Sequence, residues 1–155
     1  PITKAERQKQ AETSKELFGL SEQLAYTVYE IDETTKVLDL LIEKDKSYAK
    51  EASKVKTAFQ TLKEKLVITK GDNYVGSSEP QLREKLADLY STIASSFNAP
   101  TNAQLENLEA IKSTFGESMK QFKELKTKYG AKISMKAKEQ NIPFVLKTFE
   151  EYVEN

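Results

Sequence analysis

Apolar residues recur along the first forty positions at helical spacing. Leu17, Leu24, Ile31 and Leu38 stand seven residues apart, and Leu20, Val28, Leu41 and Ile42 fill in the same stripe. Seven-residue spacing keeps side chains on one face of a helix packed nearly parallel to a neighbour. Ahead of the stripe, Thr3 and Glu6 form a capping box, in which each side chain satisfies the other's free backbone N–H. The pattern predicts a first helix over 3–44.

The stripe breaks at Glu43-Lys44-Asp45-Lys46-Ser47, which reads as a tight connection. No Gly or Pro enforces it, and Ala52, Phe59 and Leu66 stay in the Leu17 register, so one continuous rod is the alternative. The second predicted helix, 47–67, buries Ala52, Val55, Phe59, Leu62 and Leu66. Lys70 to Ser77 is rich in turn formers and reads as a loop. Ser78 with Gln81 makes a second capping box, with Pro80 tolerated in the first turn, where its missing N–H is not needed. The helix it opens, 79–97, buries Leu82, Leu86, Leu89, Ile93 and Phe97 before Asn98-Ala99-Pro100 ends it.

Thr101 with Gln104 is a third capping box, opening a helix over 101–129. Its stripe is Leu105, Leu108, Ile111, Phe115, Met119, Phe122, Leu125 and Tyr129. Gly130, preceded by Lys126 and Lys128, reads as the stop signal. Ala131 to Gln140 is basic and weakly patterned, and Ile142, Val145, Leu146, Phe149 and Tyr152 predict a short helix over 142–153. The fold class expected is therefore all-α: an antiparallel bundle of four main helices plus a short C-terminal one, in a single domain over 1–155. The heptad runs are short and separated by stop signals, which favours an intramolecular bundle over an oligomeric coiled coil.

Composition supports this reading. The 155 residues suit one domain, and 31% charged against 38% hydrophobic residues, with five Gly and four Pro, is the profile of surface-charged helices. No window reaches the run of about 18 apolar residues that a membrane span needs. The chain opens on Pro1 rather than Met, which suggests a piece of a larger protein.

The 24 cations and 24 anions cancel, and all but Arg7 and Arg83 of the cations are Lys. Nucleic-acid binders carry a cationic surplus and Arg forks for phosphate, so nucleic acid is not an expected partner. The charge is nevertheless segregated. Glu22 to Asp45 is acidic, whereas Lys120 to Lys138 carries seven Lys against Glu124 and Glu139. A basic stretch can approach anionic lipid or an acidic partner, although a solvated helix face is the simpler reading.

The chain has no Cys, His or Trp, which excludes ordinary zinc sites, haem ligation and Ser-His or Cys-His nucleophiles. Dimetal sites in helical bundles pair Glu with His, which is missing. Glu30, Glu33 and Asp39 are dense enough to consider as glycosidase carboxylates. They fall off the apolar stripe and read as solvated, whereas a pKa-raised acid needs burial. The loop Gly71 to Glu79 superficially resembles a calcium loop, but Asp72 and Asn73 are adjacent instead of alternating, so turn and cap duty explains them better. Gly19 and Gly116 inside helices imply close approach or a kink, not chemistry. No catalytic, cofactor-binding or metal-ligating residue is expected.

One set of features works as a whole: Asp72-Asn73-Tyr74, the helix Leu82-Arg83-Glu84-Lys85-Leu86-Ala87-Asp88-Leu89, then Ala99-Pro100-Thr101 and Gln104. It resembles the C-terminal helical region of large secreted bacterial proteins with sortilin-like, BNR-repeat β-propellers, often labelled glycosyl hydrolases. In that family an Asp-x-x-Asn-Tyr-Pro loop precedes a Leu-rich helix, and Ala-Pro-Thr opens the last long helix. Pro1 fits as well, since the family's helical region follows an Asp-Pro. The similarity runs from Pro1 to Pro143, with Val75 in place of the loop's Pro and no counterpart after Pro143. The resemblance implies an extracytoplasmic location and a non-catalytic module, any hydrolase activity belonging to the propeller. The expected partners are neighbouring domains of the parent protein or another protein, with a monomer favoured over a dimer. A membrane-surface bundle and a homo-oligomerising bundle are the rival readings.

Overall fold

The computed structural model describes residues 2–69 and 79–154, and among these every regular element is a helix. They are α1 (Lys4–Lys44), α2 (Ala49–Leu66), α3 (Leu82–Ala94), α4 (Asn102–Glu139) and α5 (Phe149–Glu154). Four main helices and a short C-terminal one is the expected architecture, and α1 touches each of the others.

The four main helices form only three columns. α2 runs back along the C-terminal half of α1, with Lys63 2.6 Å from Asp32 and Lys56 paired with Asp39. α3 runs back along the N-terminal half, where the Phe18 and Tyr90 rings lie 6.4 Å apart. α2 and α3 thus share a direction and make one interrupted column. The chain leaves that column after Leu66 and returns close by, since the Ile68 N–H donates to Glu84 at 3.2 Å. α4 rises beside both columns, parallel to α1, with Lys112 2.6 Å from Glu16 and Lys136 3.7 Å from Asp45. At 1.5 Å per residue, α1 and α4 are each about 60 Å long.

Two capping boxes are found where the sequence places them. The Thr3 hydroxyl accepts from Glu6 N–H at 3.1 Å while Glu6 accepts from Thr3 N–H at 2.8 Å. Thr101 and Gln104 do the same at 3.1 and 2.9 Å. The first two helices are separate. At the corner, the Asp45 carboxylate accepts from the Ser47 hydroxyl at 2.7 Å and from Tyr48 N–H at 3.3 Å, a local turn that competes with helix.

Four boundaries differ from expectation. Ser78 lies outside the described residues, and α3 starts later, at Leu82. There the Glu84 carboxylate accepts both Gln81 N–H and Ile68 N–H, which sets the start. Its other end comes earlier, at Ala94, where the Gln10 amide donates to the carbonyls of Ile93 and Ser96 at 2.8 and 2.7 Å. Phe97, expected in the core, lies beyond that end and is 91% exposed.

α4 does not stop at Gly130 but runs ten residues past Tyr129, burying Ile133 and Ala137 against the α1–α2 corner. The true stop is a Schellman motif. Asn141 takes φ 56°, Ile142 N–H bonds to the Ala137 carbonyl at 2.8 Å, and Asn141 N–H to that of Lys138 at 3.1 Å. The final helix is correspondingly shorter. Residues 142–148 are not helical, and α5 opens only at Thr148, which forms a box with Glu151.

A wide band of α1 is buried because it faces two columns. Leu17, Leu24, Ile31 and Leu38 make one line, as expected. A second line, Thr13, Leu20, Thr27, Thr34 and Leu41, has the same seven-residue period. Each of its threonines returns its hydroxyl to the carbonyl four residues earlier, at 2.7–3.0 Å, so all three hydroxyls are satisfied within the helix. Between α2 and α4, Phe59 and Phe122 pack edge to face at 6.3 Å.

Candidate interaction surfaces

The segregated charge of the sequence is complementary within the fold. α1 and α4 are parallel, so the acidic stretch Glu22–Asp45 lies beside the basic stretch Lys120–Lys138 in the same order. Glu30 meets Lys126 at 3.4 Å, and Asp45 meets Lys136. Glu51 of α2 takes Lys132 at 2.7 Å. Lys132 and Lys136 also lie over the Tyr48 ring at 5.4 and 5.7 Å, and Lys126 lies over Phe122 at 4.6 Å. Three of the seven lysines thus hold α4 to the α1–α2 hairpin, so the stretch is not merely a solvated face.

The three carboxylates considered for chemistry are dispersed. Glu33 pairs with Lys36 one turn on at 3.1 Å, and Asp39 pairs with Lys56 of α2. Glu30 faces α4. Contrary to expectation Glu30 is not solvated, with 7% of its surface exposed. It sits at the edge of the buried band, a position a single-stripe reading leaves outside the core. Each acid faces a different cation, and no pair is directed across a common cleft.

Among the described residues, no group of three acidic side chains converges to hold a metal ion. The loop considered for calcium lies outside the described residues except for exposed Glu79. Gly19 and Gly116 have open space where a Cβ would stand, so neither marks a close helix approach. No described helix is long and apolar enough to cross a membrane.

The most specific polar and aromatic arrangement is where the C-terminal segment docks on α1. Tyr26 and Tyr29 present their hydroxyls to one residue of the extended segment. Tyr26 donates to the Lys147 carbonyl at 2.6 Å, and Tyr29 accepts from Lys147 N–H at 3.0 Å. Burial, then the charge of Glu30, raises the Tyr26 pKa, which keeps its hydroxyl a donor. Beyond the clamp, Phe149 packs edge-on to Tyr26 at 5.5 Å, and Tyr152 lies 5.6 Å from Tyr26 and 5.1 Å from Tyr29. Sequence reading placed Phe149 and Tyr152 on a buried face but missed their receptors. Tyr26 and Tyr29, three apart on the polar side of the stripe, were the available signal.

A second surface lies on the α1–α3 side of the bundle. Phe18 and Tyr90 meet at a tilt across α1 and α3 while more than a third exposed, and Phe97 follows the end of α3 with nearly its whole side chain in solvent. Large exposed aromatic rings are the usual anchors of protein interfaces. In comparisons with known protein families, curated proteins and solved structures, nothing matches this chain.

Proposed function

We propose that this chain is a non-catalytic helical module, structural or protein-interacting, carried by an extracytoplasmic protein with a β-propeller. The observation that carries the interaction reading is the exposure of the Phe18, Tyr90 and Phe97 rings, on a bundle whose acidic and basic stretches meet one another at Glu30–Lys126, Glu51–Lys132 and Asp45–Lys136. The propeller and the location come from the sequence resemblance. Against catalysis stand the lack of His and Cys and the pairing of Glu30, Glu33 and Asp39 with three different lysines.

The membrane-surface alternative would use the cations of Lys120–Lys138. Lys126, Lys132 and Lys136 are already in ion pairs, which leaves a weaker field for anionic lipid. The test begins with the coding sequence upstream of Pro1, which must encode a propeller. Calorimetric titration of that domain with this chain should then show binding that Phe18→Ser with Phe97→Ser weakens about tenfold or more. An upstream sequence without a propeller removes the parent assignment. Binding unchanged by both substitutions removes the surface.

A further inference from the structure

The C-terminal segment is held as a bound peptide is held. A backbone clamp grips one residue, two rings seat the residues two and five positions later, and a capping box closes the short helix between them. None of the residues of α5 is fully buried, and its six residues are too few for a helix stable alone. The segment is joined to α4 through non-helical residues 142–148, within which Val145 is 90% exposed. The Tyr26–Tyr29 socket therefore recognises the segment by its own local features: the Lys147 peptide group, Phe149 and Tyr152. Nothing in those contacts depends on which chain supplies it.

We propose that this socket is a docking site for the C-terminal segment of a second copy of this chain, so that each copy contributes Phe149 and Tyr152 to the other's Tyr26 and Tyr29. The exchanged state reproduces every socket contact, and the exposed Val145 lies in the stretch where the chain would cross over. A short tether supplies its own segment at an effective concentration of about 1 mM, so the closed single chain dominates in dilute solution. Exchange takes over at high local concentration, as when several chains are held side by side. This inference stands whether or not a propeller is attached.

Two full-length variants test it. Phe149→Ala with Tyr152→Ala leaves an empty socket, and Tyr26→Ala with Tyr29→Ala leaves a segment without its socket. Alone, each should scatter light as a monomer of 17.6 kDa. Mixed at about 1 mM each, the concentration the tether already provides, they should form a one-to-one dimer of twice that mass. Ile142 and Phe144 also anchor the segment's start on the core, so the proposal requires that the socket contacts alone bind more tightly than the effective concentration. A mixture that stays monomeric at 1 mM, with helical circular dichroism intact in both variants, overturns the proposal. Should Tyr26→Ala with Tyr29→Ala not fold, Tyr26→Phe with Tyr29→Phe keeps the rings and removes the clamp. A mixture with that variant must still shift toward dimer relative to either protein alone, and no shift again overturns it.

Discussion

The Glu30 carboxylate, almost wholly inside the α1–α4 seam, has Lys126 as its cationic partner at 3.4 Å. Lys126 reaches it across the Phe122 ring from a position 47% exposed, so the pair is buried at one end and wet at the other. Removing one member of such a pair is worse than removing the charge itself, because a lone buried carboxylate loses solvation without compensation. Lys126→Ala should destabilise the chain by about 1–3 kcal/mol, below the value for a fully buried pair because water reaches the ammonium. Glu30→Leu should fall within about 1 kcal/mol of the parent, in either direction. Urea unfolding of both variants decides it. Equal losses would mean that Glu30 is not a burdened charge.

The corner between α1 and α2 carries the clearest pH dependence. The Ser47 hydroxyl, then Lys136 and the backbone N–H groups of Tyr48 and Ser47, outweigh the opposing effect of burial and hold the Asp45 carboxyl below its ordinary value of 3.8. A depressed folded-state pKa gives stability that is fully present above the unfolded value and disappears as pH falls through the folded one. Asp45→Asn should therefore be less stable than the parent at neutral pH, with the gap closing once pH drops below about 4. Thermal melts of the two proteins at pH 7, 4 and 2 provide the check. A gap that stays constant across that range would assign the loss to turn geometry alone.

These two sites show what the sequence made legible. Leucine spacing and helix caps are local signals, so they identified the Leu17 line and the number of helices, but they left one continuous rod open at the α1–α2 corner, because Ala52, Phe59 and Leu66 keep the Leu17 register. Glu30 was misplaced because its burial is a tertiary consequence. α1 packs against two columns, and its second buried line is written in Thr13, Thr27 and Thr34, which look polar until their hydroxyls turn back on the helix. Phe97 was misplaced for the opposite reason. Its spacing continues the α3 stripe, but Gln10, on another helix, satisfies the carbonyls that a longer α3 would have used. The Tyr26–Tyr29 socket needed the docked segment to become visible.

The contrast between Phe97 and the true core gives a stability series. Leu24 and Phe115 are 1% and 5% exposed, on the α1 and α4 faces of the same cluster. Leu24→Ala and Phe115→Ala should each cost about 2–5 kcal/mol, through lost transfer energy and the cavity left behind. Phe97→Ser, although it removes a larger side chain than Leu24→Ala, should change stability by no more than about 0.5 kcal/mol. Denaturant midpoints at constant slope measure all three. A costly Phe97→Ser would show that its ring is covered in solution.

The last prediction concerns the glycines inside the long helices. Gly130 carries the sequence signal of a stop, since glycine often follows a helix end with cations in the last turn. The helix ignores it. Ile133 and Ala137 gain burial by continuing, and Lys132 and Lys136 gain partners at Glu51 and Asp45, so packing outweighs the weak helix preference of one glycine. Its conformational freedom then serves no purpose in the folded chain and only adds to the entropy of the unfolded one. A Cβ built at Gly130 meets no atom within 4 Å, and the same holds at Gly19 and Gly116. Gly19→Ala, Gly116→Ala and Gly130→Ala should each stabilise the protein by about 0.5–1 kcal/mol. None of the three Cβ positions has a neighbouring atom within 4 Å, so the sites share no partner and the triple variant should approach the sum of the three. A denaturation midpoint that rises with each added alanine supports the continuous α4. A fall on Gly130→Ala alone would mean that the helix bends at that residue in solution and needs the glycine to do so.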